Sequence, residues 1–162
     1  MPIEPLESRY PIRVETYGLR EDSCGPGEHR GGLGLVRQYR LLADDAVLQL
    51  RADRAKIPPY GLRGGGPAAP SRNILDPDGR AEEVPSKITR NVRKGDVIRH
   101  EQAGGGGYGD PLIRDPDLVA VDVADEKISR KFAEENFGVV IQPGEAQPDL
   151  AATEVCRARL RS

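Results

Sequence analysis

The chain of 162 residues has no tryptophan, and only 4% of it is aromatic. Successive bases of a single strand need aromatic platforms to stack on, so binding of that kind is excluded. Neither sign of charge dominates. The net charge is −2 with 31% charged residues, so no strong field draws in nucleic acid or an acidic membrane. No apolar run approaches the roughly 18 residues that span a bilayer. The N-terminal stretch Met1-Pro2-Ile3-Glu4-Pro5-Leu6-Glu7 lacks the basic and apolar regions of a signal peptide. Two cysteines, Cys24 and Cys156, make no disulfide framework. Together these absences predict a reduced, cytoplasmic protein.

Glycine and proline are abundant instead. The 19 Gly and 14 Pro make up about a fifth of the chain, against an ordinary share of about 12%. No Gly-X-Y period accompanies them, which excludes collagen. Their spread through the chain excludes a helix bundle or coiled coil. Leu, Ile, Val and Phe still supply about 23% of residues, enough to bury a core. Of the 24 basic residues 19 are Arg. Arg suits fixed bidentate contacts to carboxylates or a partner surface, and a GC-rich genome enriches the same residues.

Hydrophobic periodicity sets the expected order of elements. Tyr10, Ile12 and Val14 alternate with Arg13 and Glu15 in a half-buried strand, and Pro11 puts it at an edge or at its start. A glycine-rich loop follows from Arg20 to Gly34. Leu35 to Leu42 and Val47 to Ala52 read as two strands, and the four-residue connection Ala43-Asp44-Asp45-Ala46 predicts that they pair as a hairpin. Ile57 to Pro70 reads as a loop within the same domain. Arg72 to Leu75 and Ser86 to Val92 are short strands around an Asp76-Pro77-Asp78-Gly79 turn. A Lys94-Gly95-Asp96 turn leads into a strand from Val97 to Glu101.

The segment Ala103-Gly104-Gly105-Gly106-Gly107-Tyr108-Gly109-Asp110-Pro111 is the most biased. Four consecutive glycines lose much backbone entropy on ordering. Either the segment stays mobile or its backbone passes something closely. Helices dominate the last third. Asp115-Pro116-Asp117 starts one that runs to about Asp125. Ser129 caps a second, and Gly138 ends it. Val139 to Ile141 reads as a short buried strand, Gln142 to Asp149 as loop, and Leu150 to Arg161 as a helix or a frayed end. The fold class is α+β, mainly β: antiparallel strands with glycine-rich loops, then two short helices near the C-terminus. The expected division is a domain over 1–141 and a tail over 142–162.

No glycine cluster is followed by Lys-Ser or Lys-Thr, and none opens an amphipathic helix after a strand. This excludes a Walker A loop and a dinucleotide fingerprint. The tetraglycine reads as a structural or interface loop rather than an anion cradle, because Asp110 beside it repels phosphate. Cys24 and His29, with His100, offer a thin zinc set without paired ligand spacing. Cys24 beside His29 also has the elements of a nucleophile and base, yet the same residues make an ordinary turn. Ser23 lacks a Gly-x-Ser-x-Gly elbow. The residues alone disclose no reaction.

Four stretches taken in order carry a resemblance. They are Tyr10-Pro11-Ile12-Arg13-Val14-Glu15; Asp22-Ser23-Cys24-Gly25-Pro26-Gly27 with Arg30-Gly31-Gly32-Leu33-Gly34; Gly95-Asp96 with Gly104 through Pro111; and Ile128-Ser129 through Phe137-Gly138-Val139-Val140. This set resembles the C-terminal region of the hydantoinase B/oxoprolinase family, which includes the B-type chains of N-methylhydantoinases, 5-oxoprolinase and subunits of acetone and acetophenone carboxylases. One motif departs: the family's usual Ser-Gly-Gly stands here as Ser23-Cys24-Gly25.

The resemblance implies a small subunit or fragment of an ATP-dependent cyclic amidohydrolase complex, one that completes the B-type subunit and is not catalytic alone. The implied alternatives are a subunit of a related ketone carboxylase and a non-catalytic binding domain. The family's metal-binding His and Asp positions lie in its N-terminal part, so none carries over onto this chain. The implied partners are a hydantoinase A-like ATP-using subunit and the N-terminal part of a hydantoinase B-like subunit, with ATP and a divalent metal held there. A true split subunit and a truncated product both fit a start at Met1. The loop and interface candidates are Asp22, Ser23, Arg30, Gly31, Gly32, Gly104, Gly105, Gly106, Gly107, Tyr108 and Asp110.

Overall fold

The computed structural model describes residues 2–76 and 78–162. Met1, and Pro77 of the expected Asp76–Gly79 turn, lie outside the described residues. The chain divides into two compact units, each assembled from separated stretches.

The first unit comprises the stretch ending at Leu19, together with Leu35–Ile57 and Pro70–Ala103. It opens with helix α1 (Ile3–Arg9). Pro5 falls in the first helical turn, where its missing N–H costs no intrahelical bond. Strand β1 (Ile12–Leu19) pairs antiparallel with β2 (Leu35–Leu41). Further strands are β3 (Asp45–Arg51), β4 (Arg72–Leu75), β5 (Glu82–Glu83), β6 (Lys87–Arg93) and β7 (Val97–Glu101). Among the described residues they form a five-stranded sheet, β1-β2-β7-β4-β5, and a two-stranded ribbon, β3-β6.

The expected hairpin of β2 with β3 does not form. β2 pairs with β1 and β7, while β3 pairs with β6 from Asp45↔Arg93 to Arg51↔Lys87. Alternation fixes which face of a strand is apolar but not which strand lies beside it, and here longer-range pairs win over the local turn.

A bulge explains the pattern of β1. The register steps from Val14↔Tyr39 to Thr16↔Gln38, leaving Glu15 without an opposing residue. The extra residue brings Tyr17 and Leu19 to the face already occupied by Ile12 and Val14. That face continues through Tyr39, Leu41, Ile98 and His100 by register. The opposite face mixes buried Val36 and Val97 with polar side chains. Gln38 and the Arg40 guanidinium both donate to the Glu15 carboxylate, and these bonds, Arg40 foremost, hold its pKa below the ordinary value.

The second unit comprises Arg20–Gly34, Pro58–Ala69 and Gly104–Ser162. A 3-10 turn over Pro111–Ile113 precedes helices α2 (Pro116–Ala124), α3 (Arg130–Phe137) and α4 (Leu150–Arg161). The two expected helices near the C-terminus are α2 and α3. Asp115 caps α2, with Pro116 at its first position. Ser129 caps α3 through a 3.0 Å bond from the Phe132 N–H, and Gly138 ends it at φ 63°. Asp149 caps α4.

The core of this unit gathers Cys24, Val119, Ala120, Ile128, Ala133, Phe137, Val139 and Ile141. Burying one side chain the size of Phe137 or Ile128 stabilises by about 1.5–3 kcal/mol. Val139 to Ile141 lies in this core but is not a strand. Its amides are satisfied otherwise: Val139 N–H donates to the Ala133 carbonyl, and Val140 N–H to the Thr153 hydroxyl at 3.1 Å. Among the described residues no helix is long and apolar enough to cross a membrane.

Candidate functional site

The two glycine-rich motifs meet in the second unit, and a third segment joins them. Residues 58–69, expected as plain loop, lie against both Gly25–Gly34 and Gly104–Gly109. The N–H of Gly25 donates to the Gly105 carbonyl at 2.8 Å, and that of Gly105 to the Gly32 carbonyl at 2.8 Å. Gly107 donates to Gly66 at 3.0 Å, Gly66 to Pro26 at 2.7 Å, and Leu62 to Gly107 at 2.9 Å. His29 and Tyr108 exchange a pair of bonds at 3.0 and 2.9 Å. Each segment thereby satisfies its neighbours' backbone, which an isolated loop leaves to water.

Close approach demands most of these glycines, while Gly64 and Gly109 stand at positive φ, 94° and 77°. A Cβ added at Gly31, Gly104, Gly106 or Gly107 would lie under 3.0 Å from a carbonyl oxygen of Gly105, Ser23, Tyr60 or Pro26 respectively. At Gly25 and Gly65 it would strike the backbone of Gly107. None of these six has a positive φ. Gly32 is the exception in the motif, with nothing within 4 Å of the added atom. The logic is that of collagen, where only glycine fits a crowded axis.

Two residues tie off the base of the first segment. The Ser23 hydroxyl donates to the Arg20 carbonyl and accepts from the Gly34 N–H at 2.8 Å. Ser23 is wholly buried, which fits a stitch and not a nucleophile. Asp22 sits at φ 56°, and its carboxylate accepts from both the N–H and the hydroxyl of Ser129. Cys24 is also buried, and that burial pushes its thiol up from the ordinary value. A thiol held protonated packs; it does not attack.

Arg30 anchors the motif to α2. Its guanidinium grips both oxygens of Asp122, at 2.8 and 2.9 Å. Arg114 adds a 2.9 Å bond to the same carboxylate and a second to the Glu28 carbonyl. The Asp122 side chain is 5% exposed. Burial by itself would raise its pKa, but the bonds and charges of Arg30 and Arg114 outweigh this and hold it below the ordinary value. Neither Asp122, Arg114 nor Ser129 stood out in the sequence as part of this site. They lie about a hundred residues beyond the motif they hold, and no local spacing marks them.

Side chains on the outside of the cluster remain open. Tyr60 is 70% exposed, Leu62 56% and Tyr108 48%, and His29 packs its ring 6.3 Å from that of Tyr108. Asp110 is exposed and caps the 3-10 turn through the Leu112 N–H at 2.8 Å. His100 belongs to the first unit, where Asn73 holds its ring at 2.6 Å. Among the described residues no group of three or more His, Cys, Asp or Glu is placed to hold a metal, so Cys24, His29 and His100 do not form the zinc set considered above.

The architecture recurs in known proteins. The family model for hydantoinase B/oxoprolinase matches residues 1–111. The B-type chain of a putative D-/L-hydantoinase of Pseudomonas sp. (strain NS671) is 37% identical over 147 residues, covering 89% of this chain and 25% of that protein. The ATP-dependent caprolactamase of Pseudomonas jessenii superposes with a TM-score of 0.84 at 31% identity, covering 97% of this chain and 28% of that one. Nucleotide-free acetone carboxylase gives a TM-score of 0.84 at 25% identity, covering 99% of this chain and 26% of that one. The chain thus spans about a quarter of the length of this hydantoinase chain and 8% to 9% of 5-oxoprolinases.

Proposed function

The chain belongs to the hydantoinase B/oxoprolinase family, and on that premise we propose that it works as part of the B-type subunit of an ATP-dependent complex that opens cyclic amides. One observation carries the reading. Nearly the whole chain superposes on the caprolactamase, yet it accounts for 28% of that chain. A fold that recurs whole inside a much longer chain acts as a part of it. In this reading residues 1–141 form the family's domain and 142–162 a tail. The remaining B-type sequence supplies the metal ligands, and an A-type subunit uses ATP. All of this takes place in the cytoplasm.

The glycine cluster then has a defined task. Its backbone is satisfied internally, and Arg30, Asp122 and Arg114 fix it to α2. A rigid platform results, which holds Tyr60, Leu62, Tyr108 and His29 outward for a partner surface. Aromatic anchors on a fixed backbone bind with little ordering cost.

A second reading rests on the equally good superposition with acetone carboxylase: the same part serves a complex that carboxylates a ketone. Coexpression with the reading frames that flank its gene separates the two. The purified complex is assayed with ATP and either a hydantoin or lactam, or acetone and bicarbonate. ATP-dependent ring opening supports the first reading, and carboxylation the second. A chain that copurifies with none of these products contradicts both.

A further inference from the structure

The apolar face of the five-stranded sheet is only partly covered. α1 contributes no buried residue. Beyond it opens a cleft of about 460 Å³ whose walls include Leu6, Ile12, Tyr39, Leu41 and Ile98 on one side and Leu48 to Ala52 of β3 and its end on the other. Such a volume, lined by apolar side chains and open to water, has the make-up of a binding site. It also carries a polar point, His100. The Asn73 amide oxygen only accepts, so His100 donates to it from Nδ1 at 2.6 Å. The neutral ring then presents Nε2 as an acceptor, and burial, with Arg37 nearby, favours that neutral form.

The β3 wall shows what kind of occupant fits. Among the described residues β3 pairs with β6 alone, so its other edge has no ladder partner. The Ala52 N–H donates to the Ser86 carbonyl at 2.8 Å, in line with the ribbon. Strand alternation therefore turns the N–H and C=O groups of Leu48 and Leu50 toward β6, and those of Val47, Gln49 and Arg51 outward. A seven-residue strand with an open edge beside an apolar cleft is a surface that proteins cover, because it otherwise templates aggregation. A small molecule fills the cleft but leaves the edge bare. A polypeptide strand satisfies both.

We propose that the outer edge of β3 and the cleft beneath it receive an extended apolar segment of the remaining B-type sequence, added as a third strand to the β3-β6 ribbon. This rests on the family role proposed above. The length of chain outside this fold argues for that occupant: the superposable region makes up 26% and 28% of the two solved chains, so each has ample sequence to supply the segment. Main-chain bonds to Val47, Gln49 and Arg51 give affinity. Side chains against Leu48, Leu50 and Ile98 give register, and a donor placed opposite His100 Nε2 gives specificity.

The test uses the full chain and the coexpressed B-type partner. Gln49→Pro removes an outward N–H and leaves the β6 ladder intact, since proline is tolerated at such edge positions. Leu50→Gln makes the cleft wall polar. A photoreactive cross-linker at position 49 marks the occupant. We expect each substitution to weaken binding by about tenfold or more, with melting temperature close to that of the parent, and the cross-link to map to an apolar segment of the partner. Binding within about twofold of the parent in both variants, or a cross-link to a second copy of this chain, overturns the inference and leaves the family role standing. If the parent itself does not bind, the family role fails, and this inference with it.

Discussion

Asp22 and Ser129 stand 107 residues apart and are joined by two hydrogen bonds of 2.7 Å, one from the Ser129 N–H and one from its hydroxyl. The same hydroxyl accepts from the Phe132 N–H. One carboxylate at the mouth of the glycine motif therefore orients the cap of α3. Asp22→Ala removes both bonds and strains the positive φ at that position. The expected cost is about 1–3 kcal/mol, read as a lower midpoint in urea. Asp22→Asn, which tolerates the dihedral and keeps an acceptor, is expected to cost less.

The Arg30–Asp122–Arg114 cluster makes a sharper prediction. Asp122→Ala leaves two part-buried guanidinium groups without their counter-charge, and about 3 kcal/mol of stability is lost. The pH dependence has a definite sign. The folded pKa of Asp122 lies below the ordinary 3.8, so its contribution is complete above that value and fades as pH falls through the lowered one. The gap in stability between the parent and Asp122→Asn, measured by denaturant titration, should hold from neutral pH to about 5 and narrow in stronger acid. A gap that widens in acid contradicts the assignment.

Adjacent glycines should behave differently. An alanine Cβ at Gly31 strikes the Gly105 carbonyl, while at Gly32 it meets nothing within 4 Å. Gly31→Ala is expected to destabilise by about 1–3 kcal/mol or more, and Gly32→Ala to stay within about 0.5 kcal/mol of the parent. Thermal melts of the two variants decide this. Equal effects would mean that dihedral freedom, not contact, selects glycine here.

Cys24 should be unreactive in the native chain. Both cysteines are buried, and burial raises the Cys24 thiol. Mass spectrometry after iodoacetamide treatment should find little label in native buffer and two labels in denaturant. Rapid single labelling at Cys24 would point to an exposed thiolate and revive a nucleophilic role.

The sequence made some levels of this structure readable and hid others for physical reasons. Periodicity and caps are local, so β1, β2, β7, α2 and α3 show in the residue pattern, as do Asp115, Ser129 and Gly138 at the helix ends. Partner choice is not local. The short link before β3 suggested pairing with β2, yet β3 lies beside β6, some 40 residues on. Val139 to Ile141 is apolar enough for a strand, but its amides go to α3 and to Thr153. The glycine motifs marked the candidate site, and their density around Gly61 to Gly66 was the one available signal for the third segment. Nothing local tied Arg30 to Asp122, because that pairing exists only after the chain returns on itself.

The central claim is that this chain is a working part of a B-type subunit. Titration of the purified chain against the remaining B-type sequence, followed by calorimetry, tests it most directly. A one-to-one complex with a dissociation constant of about a micromolar or tighter is expected. Adding the chain should also restore ATP-dependent turnover to the incomplete subunit. No binding at about 100 micromolar, with the incomplete subunit fully active on its own, would contradict it.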